Sequence, residues 1–151
     1  MSFEPDRGKR LEALRTRVDC SRAVTSELLI EIIAQACIRF PGHGHATKAA
    51  FNLLVASGAW IDAALLLLQL ELPQWKLRRV TFEDGVWHCF LSKQPKLPLG
   101  FDDGAEAAHE VLPLAILIAF IKARTSVASA TPLVPRVGAP PSCTMCCDKF
   151  T

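Results

Sequence analysis

Long apolar runs are missing from this chain of 151 residues. The two most apolar runs, AALLLLQLEL at 63–72 and VLPLAILIAFI at 111–121, are each shorter than the ~20 residues that a membrane-spanning helix needs. The start, MSFEPDRGKRLEALRTR, has no apolar segment typical of a signal peptide. We therefore expect a cytoplasmic protein with no membrane partner, in which both apolar runs form buried helices.

Motifs that mark common enzyme classes are also missing. No Gly-x-Ser-x-Gly stretch places a nucleophilic serine, and no glycine-rich phosphate loop follows a predicted strand. The formal net charge is only +2, with 21% charged residues, so the chain is neither strongly basic nor an acidic disordered chain. We therefore predict a protein that is not an enzyme and needs no cofactor, zinc being the one metal that its cysteines could bind.

The residues that are present predict helices around a β-hairpin. Apolar residues recur at helical spacing over 9–18, 25–40, 42–58, 62–72 and 113–124. In the third of these helices, the spacing predicts that Ala49, Ala50, Leu53 and Leu54 form the apolar side. Residues 93–110 are polar and contain proline and glycine, which predicts a long connection.

The clearest local signal is the hairpin in WKLRRVTFEDGVWHCFLS at 75–92. Asp84-Gly85 is typical of the two-residue turn that needs positive φ. The predicted cross-strand pairs are Phe82 with Trp87, Val80 with Cys89, and Arg78 with Leu91. This register leaves Leu77, Val86 and Phe90 on the opposite face of the hairpin. Because an isolated hairpin is only marginally stable, we expect helices to cover it on both faces.

The predicted fold class is therefore α/β (α+β), with an antiparallel β-hairpin sheet layered between α-helices. Residues 1–9 are expected to form a flexible N-terminus, and residues 10–125 a single α/β/α sandwich domain. Residues 126–151 contain prolines, small residues and cysteines without periodicity, which predicts a disordered tail.

Four stretches resemble the phage ABA sandwich domain family, small phage and prophage-related proteins of unknown function. The stretches are RLEAL at 10–14, WIDAALLLLQLELPQW at 60–75, GVWHCFL at 85–91 and LPLAILIAFIKA at 112–123. The resemblance covers about residues 10–125 and implies an α/β/α layered fold and a phage-like accessory role, but no catalytic or binding residue. The chain departs from the family pattern at Leu112, where a serine or threonine cap is typical, and in a longer region 40–58.

Cysteines and histidines give two metal-binding hypotheses. Cys143, Cys146 and Cys147 form Cys-x-x-Cys-Cys in the tail, and Cys-x-x-Cys is half of a typical zinc site. His43 and His45 lie on the turn after the second helix. A closed zinc site needs four ligands, so the competing interpretation is loose thiols in the tail and an exposed histidine loop.

A basic cluster on or beside the hairpin makes nucleic-acid binding an alternative function. The cluster consists of Lys76, Arg78, Arg79, Lys93 and Lys96. Trp75 and Phe90 could offer stacking surfaces for bases beside these charges. The competing interpretation is that the charges prevent edge-to-edge aggregation of the sheet.

Binding to a second copy of the chain, or to another protein, is the leading hypothesis for function. A two-stranded sheet leaves strand edges open for pairing across a dimer. We expect such contacts through the hairpin, with Leu77, Val86 and Phe90 among them. The alternatives are a nucleic-acid-binding accessory protein and a metal- or thiol-dependent protein that uses the tail.

Overall fold

The computed structural model describes residues 4–94, 96 and 104–129. In chain order the elements are α1 (Glu4–Asp19), α2 (Ser26–Ala36), a 3₁₀ turn (Phe40–Gly42), α3 (His45–Ala56), α4 (Trp60–Glu71), β1 (Lys76–Glu83), β2 (Val86–Ser92), β3 (Ala105–His109) and α5 (Leu112–Ser129). The predicted α+β class with an antiparallel sheet is confirmed. Residues 130–151, and with them most of the expected tail, lie outside the described residues.

Helix α5 is the centre of the fold. Every residue from Leu114 to Ile121 is at most 3% exposed, because the helix contacts α1, α4, β2 and β3 on its different sides. A helix that is apolar all round is stable only when it is covered in this way. The prediction that the apolar run at 111–121 forms a buried helix is confirmed.

The sheet has the order β1-β2-β3, and both pairs of neighbouring strands are antiparallel. Asp84 and Gly85 have φ values of 53° and 80°, the positive values that a two-residue turn with right-handed strand twist requires. The predicted pairs of Phe82 with Trp87 and Val80 with Cys89 are confirmed.

The predicted pairing of Arg78 with Leu91 is wrong. A β-bulge between Leu77 and Arg79 shifts the register, so that Leu77 pairs with Leu91 and Arg79 pairs with Phe90. The extra residue turns Leu77 onto the face that packs against the core. A hairpin turn fixes the register only as far as the first bulge, which the residue pattern alone does not reveal.

The prediction that 93–110 is a connection throughout is also wrong. Residues 105–109 form β3, which pairs with β2 along its full length. Ala105 and Ala107 are buried against α5, whereas Glu106 and Ala108 are exposed. This is the alternation of a half-buried strand, although alanine and glutamate have low strand propensity.

Helices pack on one face of the described sheet, and not on both faces as the sequence predicted. That face carries Cys89, Leu91 and Ala107, which are buried under α5. The other face carries Arg79, Phe90 and Glu106 in one cross-strand row and stays partly exposed to solvent among the described residues. We call it the open face of the sheet.

The ends of several helices differ from the expected ones. Helix α1 begins at Glu4, so residues 4–9 are helical and not a flexible N-terminus, and α5 continues to Ser129. Helix α2 begins with a Thr25 side chain that accepts from the Leu28 N–H, and it ends at Ala36, not at residue 40. It ends early because the next backbone N–H groups donate to a side chain of α4.

Candidate functional site

The three residues predicted as an association surface do not share one face. Val86 and Phe90 are half-buried on the open face, whereas the bulge places Leu77 against the core. The ring of Phe90 is covered by Gly104, where an added Cβ would lie 2.6 Å from a ring carbon. The predicted surface therefore retains Val86 and part of Phe90, and Leu77 is removed from it.

The basic residues of the hairpin lie near one another but differ in their partners. Lys76 pairs with Ser92, which places Lys76 and Lys93 at the same end of the hairpin, where both are exposed, and Lys96 is exposed as well. Arg79 lies 3.8 Å from the Glu106 carboxylate across the open face, and Arg78 is half-buried at the bulge.

Trp75 does not offer the stacking surface that the sequence suggested. Its side chain is only 4% exposed, and the Lys93 ammonium lies 5.5 Å from the centre of its ring. A base cannot reach a ring that the core covers on one side and a lysine on the other. The basic hairpin thus keeps its positive charge but lacks one of its two predicted aromatic platforms.

The candidate metal ligands fall into two groups. His43 and His45 lie on the turn before α3 and at its first residue, and within residues 4–94, 96 and 104–129 no three His, Cys, Asp or Glu side chains come together as a metal site. Cys143, Cys146 and Cys147 lie outside the described residues.

The described cysteines differ in exposure. Cys20 is exposed, whereas Cys37 and Cys89 are buried free thiols. Burial raises the pKa of Cys89 to about 11, and burial together with the Glu71 carboxylate raises the pKa of Cys37 further. Since the thiolate is the reactive form, both buried thiols are chemically quiet near neutral pH.

No helix in the described part of the chain combines the length and apolar character needed to cross a membrane.

Helix α3 turns an apolar side to solvent. Five exposed residues lie within one stripe of its surface, at intervals of three or four residues: Ala46, Ala49, Ala50, Leu53 and Ala56. We call these five residues the α3 outer face. Leu53 is 70% exposed, the largest exposure of the large apolar side chains among the described residues.

The sequence predicted an apolar side of α3 but not the direction in which that side faces. The core contact of α3 is made by Phe51, with Leu54 half-buried beside it, whereas Ala49, Ala50 and Leu53 are exposed. The Phe51 ring packs edge-on against Phe40, 5.0 Å between ring centres. One large aromatic residue thereby determines which side of α3 faces inward, and the alanine side faces outward.

An apolar groove lies beside this face, between α2 and α3. It has a volume of about 250 Å³ and is lined by no charged residue. Ile30, which is 65% exposed, lies at its rim with Ile33 and Val55 in the wall. Exposed apolar side chains scattered singly are normal, but a contiguous group is typical of interaction surfaces.

A second site begins with a buried ion pair. Glu71, at the C-terminal end of α4, is 1% exposed, and Arg124, on α5, is 8% exposed. The Arg124 Nη2 lies 3.2 Å from the Glu71 Oε1, and the Arg124 Nε donates to the carbonyl of Ala36 at 2.9 Å. The Glu71 carboxylate also accepts from the N–H groups of Ile38 at 2.9 Å and Phe40 at 2.5 Å.

Three cations surround a small pocket above this pair. The pocket has a volume of about 220 Å³ and lies where α4 passes through Pro73 and Gln74 into β1. Its lining consists of Arg39, Glu71, Leu72, Pro73, Gln74, Trp75, Lys93 and Arg124. We call it the cationic pocket. Burial and the neighbouring Arg7 and Arg39 lower the pKa of Arg124, while the Glu71 charge opposes that change.

A larger open groove of about 720 Å³ lies between α1, β3 and α5. Its charged side chains already have partners: Arg15 pairs with Glu12, and the Lys122 ammonium donates to the Glu106 carbonyl at 2.8 Å. The Lys122 contact also occupies a carbonyl of β3. We therefore give this groove no binding role.

Comparison with protein-family models, with curated proteins and with solved structures found no match to this chain.

Proposed function

We propose that this chain is a non-catalytic interaction module that binds a second copy of itself through the α3 outer face. The observation that carries the proposal is the 70% exposure of Leu53 within a stripe of exposed alanines. The free energy of the two copies falls when this stripe leaves water, because burial of apolar surface stabilises association.

A second copy is the occupant because the face is uncharged and complementary to itself. No Lys, Arg, Asp or Glu belongs to the stripe, so two copies brought face to face experience no charge repulsion there. The stripe has no charge that would be complementary to an acidic or basic partner. Alanines also let two helix backbones approach closely, as small residues do at many helix interfaces.

An antiparallel pair of α3 helices would fulfil these conditions. Centred between Ala49 and Ala50, such a pair places Leu53 of one copy against Ala46 of the other, and the same contact repeats by two-fold symmetry. The helix has 12 residues and is about 18 Å long, so the contact is smaller than the ~800 Å² per partner of standard interfaces. We therefore expect weak association, with a dissociation constant on the order of 0.1 mM.

Sedimentation velocity over about 10 µM to 1 mM tests the proposal. The wild-type chain is expected to shift from the mass of one chain to that of two as its concentration rises. Leu53→Glu is expected to stay at the mass of one chain, because the dimer would bury a charged carboxylate against the apolar Ala46 of the other copy. The substitution lies on an exposed position and should leave the fold intact, which circular dichroism can check.

Ala13→Glu provides the matched control, since Ala13 is an exposed residue on α1 and receives the same charge. It should associate as the wild type does. A wild-type chain of constant single-chain mass would overturn the proposal. Loss of association in Val86→Glu but not in Leu53→Glu would move the interface to the open face of the sheet.

The other functional expectations stay predictions. A cytoplasmic location and a phage-like accessory role rest on the sequence, as do nucleic-acid binding by the basic hairpin and a metal site in the cysteine tail. A self-associating module is compatible with the accessory role that the resemblance implies.

A further inference from the structure

The cationic pocket has an excess of positive charge that the described chain does not neutralise. Arg39, Lys93 and Arg124 contribute +3 and Glu71 contributes −1, which leaves +2 in a space of about 220 Å³. Neither Arg39 nor Lys93 forms an ion pair with a carboxylate within residues 4–94, 96 and 104–129. Arg7 lies close enough to Arg124 to add to this field.

Arg124 is held in place with donor capacity to spare. Its Nε donates to the Ala36 carbonyl and its Nη2 donates to the Glu71 carboxylate. No described residue accepts from its Nη1. Among the described residues, every buried side-chain nitrogen or oxygen atom has a hydrogen-bond partner. The Arg124 Nη1 has none, so this atom is accessible to solvent. Arg124 also lines the pocket. A guanidinium fixed by two contacts is preorganised for an oxyanion.

The Glu71 carboxylate does not cancel this capacity. Its two oxygens accept from Ile38, Phe40 and Arg124, so the carboxylate is fixed by donors from the protein itself. Lys93 lies over Trp75, and its ammonium is exposed. Arg39 is also exposed and lines the same pocket. The pocket thus combines a buried, hydrogen-bonded ion pair with two exposed cations.

From these observations we propose that the cationic pocket binds the phosphate group of a small phosphorylated molecule. A phosphate monoester carries close to two negative charges near neutral pH, which matches the net +2 of the pocket. Pockets for drug-sized ligands have volumes of ~300–1,000 Å³, so this smaller one has room for a phosphate and a few further atoms. The site is separate from the α3 outer face and does not depend on self-association.

Titration of the ¹⁵N-labelled full chain with inorganic phosphate tests the proposal. The indole N–H signal of Trp75 reports on the pocket, and chloride keeps the ionic strength constant during the titration. A saturable shift of this signal is expected. Arg39→Gln and Lys93→Gln are each expected to weaken phosphate about tenfold, the loss of one charge-assisted hydrogen bond.

Matched controls are Arg22→Gln and Lys9→Gln, exposed cations outside the pocket lining, which should bind phosphate as the wild type does. The Leu53→Glu variant should also keep its affinity, which separates this test from that of self-association. Arg124→Gln is less informative because it breaks a buried ion pair, so the two exposed cations carry the test.

Three results would overturn the proposal. The first is a shift that rises linearly with phosphate, and the second is an equal affinity in Arg39→Gln and in the wild type. The third is equal binding of acetate, which would mean that the pocket does not select a dianion. Binding of an oligonucleotide that Lys76→Gln weakens and Arg39→Gln does not would assign the charge to nucleic acid through the hairpin instead.

Discussion

At the scale of single residues, Glu71 connects three parts of the fold. Its carboxylate accepts backbone donors from the segment after α2 and a guanidinium donor from α5, while Glu71 itself ends α4. Without this carboxylate, the N–H of Phe40 would lack a partner at a buried position and the N–H of Ile38 at a partly buried one. Hence the early end of α2 and the position of Arg124 depend on one side chain.

Glu71→Gln is expected to destabilise the fold by about 3 kcal/mol, because it leaves Arg124 as a buried charge without its carboxylate. Urea unfolding followed by circular dichroism measures this change. Glu83→Gln, at an exposed position beside the hairpin turn, should change stability by less than about 0.5 kcal/mol. Equal effects of the two substitutions would show that the ion pair contributes nothing special.

The buried thiol of Cys89 makes stability depend on alkaline pH. Its pKa rises from 9.0 to about 11 on folding, so the unfolded chain loses this proton first as pH increases. The thiol's contribution is complete below pH 9.0 and is lost as the pH rises through about 11. The free energy of unfolding should therefore fall over this window, and in Cys89→Ala its slope should be smaller by about 1 kcal/mol per pH unit. If the free energy of unfolding had the same slope against pH in Cys89→Ala and in the wild type, the burial of this thiol would be contradicted.

At the scale of elements, α5 and α3 show opposite uses of alanine. Ala115, Ala119 and Ala123 on α5 are completely buried, which lets α1, α4 and the sheet approach this helix closely. The alanines of α3 are exposed instead and leave room for another chain. The same residue type thus serves internal packing in one helix and an outer surface in the other.

Ala119→Leu is expected to destabilise the fold by about 1–3 kcal/mol, since the added carbons have no space in a packed core. Ala13→Leu makes the same chemical change at an exposed position on α1 and should be nearly neutral. Thermal unfolding of the two variants beside the wild type measures the difference. A neutral Ala119→Leu would mean that the packing around α5 is looser than the structure shows.

Local chemistry predicted some elements well. Asp84-Gly85 was sufficient to predict the hairpin and its nearest pairs, because positive φ at both positions allows few alternatives. The β-bulge at Leu77 and Arg79 was not predictable, because it depends on how β1 fits against the core. Strand β3 was missed since its alternation is carried by alanines, whose strand propensity is low.

The sites were less predictable than the fold. The sequence holds one indication of the ion pair between Glu71 and Arg124. Each is a charged residue in or next to a long apolar run, and a charge buried with such a run needs a partner of opposite charge. Arg39 gave no signal, because only the tertiary structure brings it to the same pocket. Ala49, Ala50 and Leu53 of the α3 outer face belong to the apolar side that the sequence predicted, but periodicity identifies an apolar stripe and not the direction in which it faces.

At the scale of the whole molecule, the two proposed sites lie on different elements. The α3 outer face belongs to one helix, whereas the cationic pocket is formed by α4, α5 and the residues that follow α2, α4 and β2. A dimer through α3 would therefore use none of the residues that line the pocket. We thus propose a small module that pairs with itself and carries one anion site per copy.

The measurement that tests self-association most directly is an isotope-filtered nuclear Overhauser experiment. A sample of about 1 mM would mix copies labelled with ¹³C at leucine methyls and unlabelled copies. If α3 pairs with itself, transfer is expected from the Leu53 methyls of one copy to the Ala46 and Ala49 methyls of the other. Transfer between copies that involves only open-face residues such as Val86, or none at all, would contradict it.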